Sequence, residues 1–221
     1  MNRLQKWAIR GFYLIWLGIL AALVKPPFTF LILNTFLAYI PIELSFHVGK
    51  RKPQNGLLFW LISLVWLLFY PNAPYLLTDL FHLSLLEPYG TNGLLRLDNS
   101  MWLNFTLLIV SALPSTILGM WGLGQVNDGI IDRLHLPKWS TPIGIIILSI
   151  LSSIGIFIGR FLRIHTIYLF MTPSLFIQPL LNMWSSRAIR FMILLTLVQL
   201  IIYWSLHLIS STNSTKKDEE N

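Results

Sequence analysis

From Thr141 to Leu162 the chain reads TPIGIIILSILSSIGIFIGRFL, 22 residues in which Arg160 is the one ionisable side chain. As a helix, such a run is long enough to cross the roughly 30 Å of bilayer hydrocarbon. Similar runs recur at 7–24, 27–47, 57–70 continuing beyond a break, 101–122 and 189–209. Lipid offers no partner for backbone N–H and C=O groups, so each run must satisfy them internally as a helix. The expectation is an all-α, polytopic transmembrane helical bundle with about six spans. With 55% hydrophobic and 11% charged residues, a soluble core could not hide this much apolar surface.

The first run follows Arg3, Lys6 and Arg10, but AALVKPP at its end is a poor small-residue cleavage site. It is expected to stay as a span rather than act as a signal peptide. Lys25, Pro26 and Pro27 leave only a tight turn before the second run, predicting a helical hairpin. Residues 1–210 read as a single integral-membrane domain, and 211–221, STNSTKKDEEN, as a disordered polar tail. One further apolar stretch, IYLFMTPSLFIQPLLNMW at 167–184, is interrupted by Thr172, Pro173, Ser174, Gln178, Pro179 and Asn182. Those interruptions predict an interfacial or re-entrant segment before the last span, with a seventh span as the alternative.

Orientation follows from the basic residues. With six spans and the N-terminus cytoplasmic, the inner segments hold ten Lys and Arg and the outer ones six. Lys50, Arg51 and Lys52 then mark the cytoplasmic face of a cell membrane, where anionic lipid can meet them. The net charge of +7 does not point to nucleic acid, because the cations sit in short connections between spans rather than on one face of a soluble domain. There is no cysteine, which excludes disulfides, thiolate ligands and cysteine nucleophiles.

The third run ends in FYPNAPYLLTDLFHL, Phe69 to Leu83. From Leu57 to Tyr70 it is fourteen residues, about 21 Å as a helix and too short to cross alone. Pro71 and Pro74 break the helical ladder, and the restriction on the residue before proline predicts Ala73 as the cap of a second helix that begins at Pro74. In that helix Tyr75, Asp79 and His82, spaced by four and three, share one face. Asn72 would lie just outside its N-terminus, where unpaired N–H groups favour anions.

FYPNAPYLLTDLFHL, together with GIFIGRFLR from Gly155 to Arg163, resembles the bacterial integral-membrane family catalogued as domain of unknown function 1361. The resemblance runs from about Leu31 to Leu208. It implies that Asn72, Asp79, Arg160 and Arg163 belong to signature motifs and assigns them no role. Relatives often continue the arginine motif with WNSWD, whereas this chain has Ile164, His165, Thr166, Ile167 and Tyr168.

In the fifth run Gly155 and Gly159 form a G-x-x-x-G pair near Ser152, favouring close packing of a neighbouring helix within the bundle. Arg163 continues the spacing of four, while Arg160 lies further round. The third and fifth spans run the same way, so the expectation is one outer-face site with Asp79 and His82 facing Arg160 or Arg163. Asp79 and His82 are its acid–base candidates, and Asn72, Tyr75, Arg160 and Arg163 its substrate-binding candidates. Glu43 and His47 have a metal-compatible spacing, but two ligands do not make a site, and no metal or cofactor is expected. Asp128, Asp132, Arg133 and His135 read as solvated loop charge, and no P-loop, G-x-S-x-G or H-E-x-x-H motif is present.

Three functional classes fit these residues. The first is a noncatalytic membrane or assembly component with a polar outer-face cluster. The others are a membrane-embedded enzyme acting on a lipid-linked or anionic substrate, and a small-solute carrier. Membrane lipids are the expected partners, with a lipid-linked or anionic ligand added in the enzyme reading.

Overall fold

The computed structural model describes residues 1–50, 52–162 and 173–219, with side chains at 173–177 and 212–219 left aside. Its α-helices are α1 (Arg3–Leu23), α2 (Phe30–Ser45), α3 (Gly56–Phe69), α4 (Asn72–Asp79), α5 (Asn99–Arg133), α6 (Ser140–Phe157), α7 (Pro173–Asn182) and α8 (Ser186–Glu219). A 3₁₀ turn, Leu80–Leu86, extends α4, and a π-helical turn, Ile158–Leu162, extends α6. Five segments are long and apolar enough to cross a membrane: Arg3–Leu23, Gly56–Leu86, Asn99–Arg133, Ser140–Leu162 and Ser186–Ser211. Helix α2 is the short sixth, 16 residues or about 24 Å. The protein is thus a membrane-embedded all-α bundle. Tyr89 and Leu95 form an isolated antiparallel bridge.

The helices form two compact units, Met1–Val48 with Lys52–Gly122, and Gly49–Arg51 with Leu123–Asn221. In the first, Asn2 and Gln5 close a reciprocal capping box that starts α1. Tyr13 Oη and Ser115 Oγ lie 2.9 Å apart, and Trp16 Nε1 donates to Ser111 Oγ at 2.9 Å. Ser111 and Ser115 are one turn apart, so a single face of α5 receives both aromatic residues of α1. Trp16 packs against an apolar core of Leu20, Phe28, Leu31, Ala38, Leu76 and Leu108, and Tyr13 against Ile42 and Phe46. Glycine sets the closest approach. A Cβ on Gly119 would stand 2.7 Å from Ala73 Cβ, and one on Gly122 would stand 3.0 Å from Ser45 Cβ.

In the second unit α6 packs along α8. The buried residues of α6 are Ile145, Leu148, Ser149, Ser152, Ser153 and Ile156, a stripe at helical spacing. Facing it on α8 are Met192, Leu195, Thr196 and Gln199. Gln199 Nε2 donates to Ser153 Oγ at 2.8 Å, and Thr196 Oγ1 donates to the same oxygen at 2.9 Å. Lipid is as apolar as leucine, so the small and hydrogen-bonding side chains among these residues set the inner face of the two helices apart from their lipid-facing sides. Where α5 enters this unit, Asn127 Nδ2 donates to Thr141 O at 3.1 Å, and a Cβ on Gly144 would collide with Asn127 Oδ1.

Three boundaries differ from the sequence expectation. The third span breaks two residues earlier than expected: α3 ends at Phe69 and α4 begins at Asn72, with Pro74 third in the new helix. Pro71 is what interrupts the ladder, since it has no N–H to return to Leu67, whereas Pro74 occupies a first-turn position whose N–H needs no helical partner. Helix α5 continues to Arg133, so Asp128 and Asp132 are helical rather than in a loop. Helix α8 is described to Glu219, past residue 211 where a disordered tail was expected. The stretch from Tyr203 onward contains neither Gly nor Pro to stop it. Of the segment 167–184, the described part is α7, Pro173–Asn182, and its residues up to 172 lie outside the described residues. Leu180 and Met183 dock beside Ala188, Met192 and Phe157.

Candidate functional site

The break in the third span has a local logic. Ala73 N turns back to Tyr70 O at 3.1 Å, and Tyr75 N resumes the regular pattern to Pro71 O at 2.9 Å. Phe69 O thereby loses its usual main-chain donor. The Asn72 amide fills the gap, donating from Nδ2 to Phe69 O at 2.9 Å. Asn72 is therefore the first residue of α4, turned back onto α3, rather than a group beyond the helix end.

Asp79 closes α4 and is fully buried, with 0% of its surface exposed. Its Oδ2 accepts from Asn34 Nδ2 of α2 at 2.8 Å. His82 lies one 3₁₀ turn further on, where the three-residue repeat stacks it over Asp79. Its Nδ1 stands 3.0 Å from Asp79 O and 3.8 Å from Asp79 Oδ1. The imidazole also packs on the Phe30 ring, with centroids 4.2 Å apart. Thr78 Oγ1 donates to Tyr75 O at 2.7 Å, and Tyr75 itself is half-buried. The cluster thus joins α2 to α4 through a carboxylate, an amide and an imidazole in an apolar setting. Such a group must keep hydrogen-bond partners, because a bare buried carboxylate is strongly penalised.

Asn34 was missed in the sequence. Its signal was present, a lone amide in FLILNTFLAYI, where an uncompensated polar group in a span asks for a partner. The partner stands 45 positions away. Arg160 belongs to the second unit and lies half-buried on the π-helical turn. That turn shifts the helical register at Gly159 and Arg160. Arg163 lies outside the described residues, as do Arg51 and His165.

A second polar cluster sits where α1 meets the C-terminal end of α2. Arg10 Nε donates to Glu43 Oε2 at 3.0 Å, and Arg10 Nη2 donates to Glu43 Oε1. Tyr39 Oη donates to Glu43 Oε2 at 2.7 Å, and His47 Nε2 lies 3.2 Å from Glu43 Oε1. Lys6 Nζ donates to Phe46 O at 2.9 Å. Glu43 and His47 thus belong to an ion-pair network. Among the described residues no three of His, Asp and Glu come together as a metal site would require.

These features define a membrane-embedded helical protein whose described site is an Asp–Asn–His cluster centred on the buried Asp79. The chain belongs to the family described as protein of unknown function (DUF1361), whose model matches residues 33–202. That span takes in both Asn34 and Gln199 and leaves out α1. No curated protein and no solved structure matches the chain.

Proposed function

We propose that this is a noncatalytic, multi-pass component of a bacterial cell membrane, with its N-terminus in the cytoplasm, in which the cluster around Asp79 holds the bundle in one arrangement. The observation that carries this reading is the complete burial of Asp79 with its Oδ2 bonded to Asn34 at 2.8 Å. A general acid or base must reach the proton it transfers, and a carboxylate with no exposed surface is better placed to fix helix register. Asn72 acts likewise, repairing the broken ladder at Phe69 O. A second reading, an enzyme acting on a lipid-linked or anionic substrate, is favoured by the π-helical turn under Arg160, since such turns recur at functional sites.

Lipid profiling separates the two. A deletion strain and a strain carrying Asp79→Asn are compared with wild type, with insertion of the variant checked by membrane blotting. Unchanged lipid classes in both strains are expected of a noncatalytic component. Accumulation of the same lipid intermediate in both, with the variant inserted at wild-type level, overturns the proposal in favour of the enzyme.

A further inference from the structure

An apolar groove of about 290 Å³ runs between α6 and α8 in the second unit. Ile150 and Ile154 form one wall, Ile189, Ile193 and Leu197 the other, and Trp184 stands at one end. On α8 the lining extends from Ile189 to Leu197, about 12 Å along the axis. Both helices are long and apolar enough to span a membrane, so what faces this groove is hydrocarbon rather than water.

The charge at the Trp184 end is specific. Arg187 and Arg190 are exposed in the first turns of α8, and among the described residues neither forms an ion pair. Arg190 precedes Ile193 by three and Leu197 by seven, so it flanks the groove on the same helix face. An apolar furrow alone would not select a lipid, because one acyl chain replaces another there at little gain. Two guanidinium groups beside a tryptophan do select, since tryptophan favours the headgroup level and arginine binds phosphate through paired N–H donors.

We propose that this groove holds one acyl chain of an anionic phospholipid whose phosphate is bound by Arg187 and Arg190. Neutral and anionic lipids of equal chain length then differ in residence on the protein, and the difference depends on the two arginines. The site is independent of the Asp79 cluster and stands whether or not that cluster is catalytic.

The test uses the full chain, purified in mild detergent and supplied with phosphatidylglycerol or phosphatidylcholine carrying identical acyl chains. Lipid adducts are read by native mass spectrometry on the folded protein. The native chain is expected to retain phosphatidylglycerol in preference. In R187Q/R190Q that preference should fall on the order of tenfold or more, while R187K/R190K keeps most of it. Equal retention of the two lipids by the native chain, or an undiminished preference in R187Q/R190Q, overturns the proposal. Ile193→Trp fills the groove without altering charge and should also release the lipid. Undiminished retention in that variant overturns the groove as the seat of the chain.

Discussion

Asn34 on α2 and Asp79 at the end of α4 meet through a 2.8 Å hydrogen bond, although 45 positions separate them in the chain. The two polar groups offset each other inside an apolar bundle. Removing either partner has unequal consequences, because the amide can be replaced by a hydrocarbon but the carboxylate cannot follow it. Asn34→Leu, which leaves a buried acceptor without this donor, should destabilise the protein by about 1–3 kcal/mol. Asp79→Asn keeps an acceptor for Asn34 and should cost less. Thermal unfolding in detergent ranks the two, and a larger loss for Asp79→Asn would contradict the clasp.

The network around Glu43 gives a second ordering. Arg10 and Tyr39 both donate to its carboxylate, and their side chains are partly shielded, whereas the His47 side chain is 57% exposed. Exposed ion pairs contribute roughly 0–1 kcal/mol, so His47→Ala should be nearly neutral. Glu43→Ala removes the acceptor for Arg10 and Tyr39 together and should cost more than either His47→Ala or Tyr39→Phe. The same unfolding assay checks the order.

Three glycines on helices should respond in opposite directions to alanine. Gly119→Ala drives a Cβ to 2.7 Å from Ala73 Cβ, so α4 and α5 must separate, at a cost of about 1–3 kcal/mol. Gly18→Ala meets nothing within 4 Å and should stabilise α1 by up to about 1 kcal/mol through reduced chain entropy. At Gly124 the added methyl would stand 3.5 Å from Tyr203, an ordinary contact, so Gly124→Ala should be neutral or slightly stabilising.

Reporter fusions after Asn55 and at the C-terminus should both report the cytoplasm. The prediction rests on the excess of basic residues in the inner connections and on the proline and polar interruptions of 167–184. A C-terminal reporter outside with the Asn55 reporter inside would require a further crossing and overturn the topology.

The sequence by itself determined the class of this protein, because uninterrupted apolar runs near 20 residues leave a bilayer helix as the one economical solution for the backbone. It also located the break at the double proline, since proline's missing N–H acts locally. The exact point of the break was not legible: which of two prolines interrupts the ladder depends on where the second helix starts, and Asn72 settled that by binding Phe69 O. Equally hidden were the partners of the polar groups. Asn34 with Asp79, Tyr13 with Ser115, and Gln199 with Ser153 are each brought together by helix packing across dozens of residues. In helices apolar on every side, hydrophobic periodicity does not tell inside from outside. Only the tertiary structure decides which face is buried, because there the close approach of glycine and the pairing of a few polar side chains replace the hydrophobic effect as the forces that set packing.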